Sequence, residues 1–435
     1  MPPTRSVVVD TDLASDDLMA LALLLSSSEV EVVGITVSGT GEVRCPSGAE
    51  VARRFLVATG HQGVPVACGR TTPLEGDHSF PSEWRDAADD AWGLDLPATP
   101  STSDTRTAVE LLTDVLGAGG VTVLTLGPLT NIAETFRTDP RLASKVESIV
   151  MMGGAVDVSG NVFGEGPQPP VAEWNAYIDP VATAEVIASG VPIVMVGLDA
   201  TNHAPITGDF LELLDLNAHT KEATLVRILL RENPTVNSAQ AYFWDPLAAA
   251  VAIDPELITA ESTTIAVNTS SGTDSGRTTR TPTGSPVVVG VDADLDRFEH
   301  FFVRTLDQLG SDGDIVVPPP PAGNVTIRFD GRTCIFDATA KIAAGRLRFT
   351  FETTNPTWAG VIAPLTGELT VEELREWILS HPVFHQGRGV PGIGQPVAFV
   401  WPNGVQYTDT TPGTKVVLCA AEDGRLVVAG SFDVT

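Results

Sequence analysis

Val7-Val8-Val9-Asp10-Thr11-Asp12-Leu13-Ala14-Ser15-Asp16-Asp17, followed at once by the apolar run Leu18 to Leu25, is the stretch on which the reading of this chain turns. A β-branched triplet that gives way to acids and then to a leucine-rich run is a buried strand passing into a helix. Asp10 and Asp12 are two residues apart and share a face as the strand ends. Asp16 and Asp17 open the helix, where free amides favour negative charge. Ligand sites of open α/β sheets lie at the carboxyl ends of the strands. Four carboxylates this close repel one another unless a hard divalent cation joins them. Helix capping by solvated acids accounts for Asp16 but leaves Asp10 and Asp12, beside a buried strand, without a role. Oxygen-only donors suit Ca²⁺ or Mg²⁺ rather than Zn²⁺.

Outward from this segment, apolar β-rich runs alternate with amphipathic stretches to about residue 200, the pattern of a mainly parallel sheet covered by helices. The predicted strands are 6–9, 30–37, 64–68, 121–126, 148–152 and 192–198. Helices are expected after Asp16, near Ser47, Ala108 and Asn131, and over 180–189, 208–233 and 239–252. Residues 270–285, rich in Ser, Thr and Gly, read as a loop or hairpin tip. A strand over 287–291 and a helix over 295–309 then close this half. The run Pro318 to Pro321 is a stiff spacer that cannot join a central strand. Beyond it the apolar period becomes two, interrupted by one helix that Thr370 caps with Glu373 at the capping-box position. The expected architecture is an α/β domain with an open, mainly parallel sheet and flanking helices over 1–315. A Pro-rich linker over 316–323 and an all-β sandwich over 324–435 follow.

Composition narrows the function. The chain has 435 residues, 43% hydrophobic and 19% charged, which excludes wholesale disorder. Against 55 acidic residues stand 26 basic ones, a net charge of −29. Such a surface repels phosphate backbones and anionic membranes, so no nucleic acid and no membrane partner is expected. A neutral small molecule carries no such penalty. No apolar run is long enough to span a bilayer, and the N-terminal residues form no secretion segment, so a cytoplasmic protein is expected. Cys45, Cys68, Cys334 and Cys419 form no C-x-x-C pair. They read as buried free thiols of a reducing cytosol, although Cys334 and Cys419 sit on strands that could pair across a sandwich.

Five motifs stand in order along the chain: Asp10-Thr11-Asp12 with Asp16-Asp17, Leu126-Gly127-Pro128-Leu129-Thr130-Asn131, Met151-Met152-Gly153-Gly154-Ala155, Ala172-Glu173-Trp174-Asn175-Ala176-Tyr177-Ile178-Asp179 and Trp244-Asp245-Pro246. Phosphoaspartate phosphatases also end a first strand on D-x-D, but they need a downstream Lys. Lys145, the only Lys at a plausible distance, lies in a polar stretch. The ordered set, over residues 5 to about 310, instead resembles the nucleoside hydrolases, Ca²⁺-dependent enzymes that split the N-glycosidic bond of ribonucleosides.

That resemblance implies roles. Asp12, Asp17 and Asp245 would bind Ca²⁺ with the carbonyl of Leu126, and Asp12 would also accept the proton of the attacking water. Asp10 would support the cluster. Asp16, Asn161, Glu173 and Asn175 would hold the substrate, with Met152 beneath the sugar. Capping of a helix is the competing reading of Glu173 and Asn175. Many family members carry His before the late Asp as general acid, whereas this chain has Trp244. That departure is similar to the purine-specific inosine-adenosine-guanosine branch, in which two tryptophans stack the base and solvent protonates it. Phe80-Pro81-Ser82-Glu83-Trp84-Arg85 resembles the loop that carries the second tryptophan of that branch. Trp92 competes with Trp84 for this task.

The Asn that many members carry after the second strand is absent. In Ser38-Gly39-Thr40-Gly41-Glu42, Glu42 or Thr40 is the substitute contact to sugar or base. His78 lies in the Trp84 loop, where a surface role outweighs proton shuttling. The resemblance implies a dimer or tetramer. The sandwich, which has His381, His385 and Cys419 but no Met, does not make a copper site. The expected function is therefore Ca²⁺-dependent hydrolysis of purine ribonucleosides to base and ribose. A broader or pyrimidine-type hydrolase and a non-catalytic Ca²⁺-dependent nucleoside-binding protein are the alternatives.

Overall fold

The computed structural model describes residues 4–99, 105–162, 170–232, 241–309, 315–318, 322–338, 341–353, 358–365, 370–380, 398–400, 405–421 and 425–435. The chain divides into two compact units. One gathers Met1–Pro205, Asn217–Glu232 and Tyr242–Ile315, and the other takes in Ile206–Leu216 with Val316–Thr435.

The first unit is built on a nine-stranded sheet. Its strands are β1 (Arg5–Thr11), β2 (Val30–Val37), β3 (Val66–Cys68), β4 (Val121–Thr125), β5 (Val146–Met152), β6 (Ile193–Val196), β7 (Ile258–Val267), β8 (Thr278–Arg280) and β9 (Ser285–Ala293). They lie in the order β3-β2-β1-β4-β5-β6-β9-β7-β8. From β3 to β9 every pairing is parallel, and β7 runs antiparallel to both of its neighbours. Helices cover such a sheet on both faces, so its central strands read as continuous apolar runs. Val7, Val8 and Val9 are fully buried, as are Val123 and Leu124.

The helix Ser15–Ser26 is buried from Asp17 to Ser26. It packs against the equally buried helix Trp244–Ile253. The small side chains Ala248, Ala249 and Ala250 let two such helices approach closely. This packing brings together the N-terminal turns of helices from opposite ends of the domain.

The predicted strands are observed to within a few residues, but two strands were omitted and one expected helix is divided. Strand β8 lies within the expected 270–285 loop, and strand β7 was not expected either. Its Thr259-Ala260-Glu261-Ser262 stretch is exposed, because the three-residue β8 covers only its end, so no buried alternation marks it. The single helix expected over 208–233 is two, Gly208–Asn217 and Lys221–Glu232. Thr220 starts the second by accepting the amide of Ala223 on its hydroxyl at 3.1 Å.

The second unit contains a β-sandwich. A four-stranded sheet (Cys334–Asp337, Gly323–Phe329, Gly345–Thr353, Val405–Thr410) faces a five-stranded one (Lys341–Ile342, Leu426–Val434, Gly413–Ala421, Trp358–Pro364, Ala398–Val400). All pairings are antiparallel except Gly323–Phe329 with Gly345–Thr353 and Lys341–Ile342 with Leu426–Val434. The period of two sorts the faces. Ile362, Val417 and Cys419 point into the core with Val325, Ile327 and Phe349, while Val361, Ala363, Val416 and Leu418 point outward under the helix Val371–Ser380. Thr370 and Glu373 form the expected capping box. Trp358 is core, stacked on Phe329 at 4.1 Å. Trp401, His381, His385 and Pro319 to Pro321 lie outside the described residues.

The free-thiol expectation is corrected. Cys45 is bonded to Cys68 and Cys334 to Cys419, the latter pair joining the two sheets of the sandwich. Bonds of this kind persist in oxidising compartments and are rare in a reducing cytosol. No described helix is long and apolar enough to cross a membrane.

Candidate active site

The site is assembled at the carboxyl ends of β1, β2, β4 and β5. Asp10, fully buried, accepts hydrogen bonds on Oδ1 from the Thr36 hydroxyl at 2.6 Å and from Asn131 Nδ2 at 2.7 Å. It thereby ties the ends of β1 and β2 to the helix Thr130–Thr138. Its other oxygen, Oδ2, is buried without a partner. Asp12 is clasped from both sides. Its carboxylate accepts the amide of Glu42 at 3.0 Å, its carbonyl accepts the amide of Val43 at 2.9 Å, and its own amide donates to Asp17 Oδ1 at 3.1 Å. Only glycine permits so close an approach: a Cβ at Gly41 would lie 2.2 Å from the Asp12 side chain, and one at Gly127 would lie 2.9 Å from it.

Asp16 and Asp17 stand in the first turn of Ser15–Ser26, and Asp245 stands in the first turn of Trp244–Ile253. Oxygens of these three carboxylates all lie within 4.8 Å of one another. Asp17 Oδ1 also receives the Thr11 hydroxyl, while Asp17 Oδ2 and Glu42 Oε2 are buried and unpartnered.

Burial first, and mutual repulsion second, hold these acids protonated far above the usual carboxylate range. The Asp16 pKa is pushed up to about 7, and those of Asp12 and Asp245 are raised strongly by the same two causes. Burial and the charges of Asp16 and Asp17 do the same to Glu42. For Asp10, also at about 7, burial outweighs the opposing hydrogen bonds from Thr36 and Asn131. Convergent hard oxygens with unsatisfied lone pairs, in a place where negative charge is disfavoured, fit a hard divalent cation. The residues brought together are Asp16, Asp17 and Asp245. Asp16, expected at the substrate, stands within the cluster, and Asp12 stands beside it.

The sugar-side residues form a second group. Asn175 Nδ2 donates to the carbonyl of Leu126 at 3.0 Å and to that of Met152 at 3.3 Å, pinning the ends of β4 and β5 together. Glu173 is the N-cap of Trp174–Ile178 and accepts the amides of Asn175, Gly154 and Ala176. Asn161 Oδ1 accepts the Trp174 amide at 3.1 Å. Asn131 and Asp179, present in the sequence motifs but given no role, prove to be organisers. Asp179 caps Pro180–Ile187 and receives Thr130 Oγ1 and the Leu74 amide, each at 2.8 Å. The hydroxyl of Thr40 lies in a chain between Ser38 and Thr130. The signal for all of these is a polar residue inside an otherwise buried segment.

Aromatic side chains adjoin these residues in the chain: Phe80, Trp84 and Trp174 form an aromatic wall next to Asn175, and Trp244 stands before Asp245. Trp84, on the helix Ser82–Asp89, is 40% exposed and packs edge-on against Trp174 at 5.4 Å, which in turn stacks on Phe80. Trp244 immediately precedes Asp245, and its ring lies 5.7 Å from that of Tyr242. His78 stacks on Tyr177 at 4.0 Å and bonds the Tyr177 carbonyl through Nδ1. Trp92 donates its indole N–H to the carbonyl of Leu13 at 3.0 Å.

A model of the inosine-uridine preferring nucleoside hydrolases matches residues 7–300, which hold every one of these groups. The chain belongs to that family. It is an enzyme of the nucleoside hydrolase class. The pyrimidine-specific ribonucleoside hydrolase RihA of Shewanella woodyi is 32% identical over 286 residues, 61% of this chain and 85% of that protein. A probable uridine nucleosidase of Oryza sativa subsp. japonica is 35% identical over 210 residues, 48% of this chain and 63% of the relative. Among solved structures, a plant nucleoside hydrolase superposes with a TM-score of 0.63 at 28% identity, covering 70% of this chain and 99% of its own. A purine-preferring ribonucleoside hydrolase from Gardnerella vaginalis does so at 0.61 and 27%, covering 70% and 98%.

Proposed function

We propose that this nucleoside hydrolase is Ca²⁺-dependent and prefers purine ribonucleosides, releasing the free base and ribose. Asp17 and Asp245, with Asp16 and Asp12 beside them and the Leu126 carbonyl at the same strand ends, are the groups that would hold the ion. When bound, calcium supplies a Lewis acid for water and an anchor for the vicinal hydroxyls of the sugar. Asp12 takes the proton of the attacking water, its position fixed by the amides of Glu42 and Val43. Asn161, Glu173 and Asn175 line the ribose, with Met152 beneath it. The surrounding carboxylates stabilise the positive charge that develops on the sugar as the bond to the base lengthens. Trp84 and Trp244 hold the departing base by stacking, and Glu42 meets the sugar or base from the opposite loop.

The observation that carries the purine assignment is Trp244 itself. A tryptophan, whose indole N–H is far too weak an acid to protonate a leaving base, directly precedes a carboxylate of the acidic cluster. The pyrimidine and uridine activities of the sequence relatives favour the second reading, a pyrimidine ribonucleoside hydrolase. Steady-state turnover of inosine, guanosine, adenosine, uridine and cytidine, with calcium and with chelator, separates the two. The expected result is fast, calcium-dependent purine turnover that falls roughly ten- to a hundredfold in kcat/KM in Trp244→Ala, the range set by loss of a base–aromatic stack. Uridine turnover equal to that of inosine, insensitive to this substitution, would overturn the purine assignment.

A further inference from the structure

The loop that carries Asp12 is held in a conformation its own residues disfavour. Leu13, fully buried and directly after Asp12, has φ +55°. A leucine in the left-handed region is unfavourable because its Cβ crowds the following carbonyl. Such a residue persists only where its surroundings over-determine it. Its amide is fixed on the Thr11 hydroxyl at 3.1 Å, and that hydroxyl is bonded to Asp17. Its carbonyl is fixed on the Trp92 indole N–H at 3.0 Å. Trp92 and Ala91 are themselves left-handed, at φ +56° and +53°. One hydrogen bond therefore joins two strained segments, and each would relax if it were released.

The segment bearing Trp92 is anchored to the other side of Asp12 as well. In the preceding helix Ser82–Asp89, Arg85 donates to the Gly39 carbonyl at 3.0 Å. Asp89 receives the Arg44 amide at 2.9 Å and the Ser47 hydroxyl at 2.6 Å. Between these contacts lies the stretch whose Glu42 and Val43 amides clasp Asp12. The same short segment carries Trp84. We infer that Trp92 is a positioning residue: its indole N–H locks Leu13 and so sets Asp12 against the Asp16–Asp17–Asp245 group, tying the aromatic wall to the acid cluster. This rests on the functional reading above for turnover and for calcium binding, but not for the loop itself.

The variant Trp92→Phe keeps an aromatic ring and deletes only the donor. Three measurements on the full chain follow. In the metal-free protein, amide hydrogen exchange over residues 10–17 should quicken by about tenfold relative to the rest of the sheet, the scale of one lost hydrogen bond. The calcium dissociation constant should rise by about tenfold. At saturating calcium, kcat should fall by a similar factor while the nucleoside KM changes by less than about twofold. The double variant Leu13→Gly/Trp92→Phe checks the route, because glycine adopts the left-handed conformation freely: against Leu13→Gly alone, the added loss of calcium affinity should shrink. Unchanged exchange and unchanged calcium affinity in Trp92→Phe would overturn the inference. A raised KM with unaltered kcat would also overturn it and make Trp92 a base-stacking residue. A wild type that binds calcium but turns over no nucleoside would break the functional reading alone, with exchange and affinity still deciding the role of Trp92.

Discussion

The core of the sandwich and the acid cluster of the α/β unit are buried to the same degree and filled with opposite chemistry. Val325, Ile327, Phe349 and Phe351 meet Ile362, Val417 and Phe432 in one apolar cluster. Each large apolar side chain buried there contributes about 1.5–3 kcal/mol. At the carboxyl ends of the central strands of the nine-stranded sheet, Asp10, Asp12, Asp17 and Asp245 are just as inaccessible, yet they are like charges removed from water. That arrangement costs stability until protons or a cation neutralise it. The difference separates residues retained for folding from residues retained for chemistry, since strongly perturbed acids converging in one place mark functional sites.

The comparison breaks most visibly under substitution. Asp17→Asn and Asp245→Asn should each lower nucleoside turnover by more than about 100-fold, beyond the range of partners that merely orient a metal ligand. In chelator the same variants should melt no lower than wild type, because a neutral amide relieves repulsion. Phe349→Ala should behave in reverse, costing about 3–5 kcal/mol of sandwich stability with turnover intact. Thermal melts in chelator, set beside turnover assays, check the pair. If Asp17→Asn destabilised the metal-free protein as Phe349→Ala does, the acids would be structural.

A pH titration sharpens the same contrast. The Asp10 and Asp16 carboxyls have folded pKa values of about 7 against an ordinary 3.8. The folded protein therefore keeps protons that the unfolded chain has released, and the metal-free fold loses stability as pH rises from about 4 to about 7. Calcium needs ionised ligands, so its affinity climbs through the same window. The gap between melting temperatures with calcium and with chelator should widen with pH, and a constant gap would show that these acids are not what calcium neutralises. The smallest effect is expected at the sandwich disulfide. Replacing Cys334 and Cys419 by Ala should lower the stability of that unit by about 2–4 kcal/mol, read by denaturant unfolding, and leave turnover unchanged. A parallel loss of turnover would show the two centres to be energetically linked.

What the sequence determined by itself is whatever periodicity and local chemistry encode. The valine triplet before Asp10, the helix opened by Asp16 and Asp17, the Thr370 cap and the alternation of the last hundred-odd residues all follow from which face of an element is buried. The order of its motifs carried the family. Periodicity states that a side chain is buried but not against what. The resemblance grouped Asp245 with Asp12 and Asp17, but only the tertiary structure shows the contact that sets it beside Asp16 and Asp17, the packing of two helices from opposite ends of the domain. It alone brought the Glu42 amide to Asp12 and the Trp92 indole N–H to the Leu13 carbonyl. It also joined the cysteines that composition left as thiols. Each of these rests on a contact between segments far apart in the chain, and such contacts are fixed by packing and hydrogen-bond geometry rather than by any local pattern.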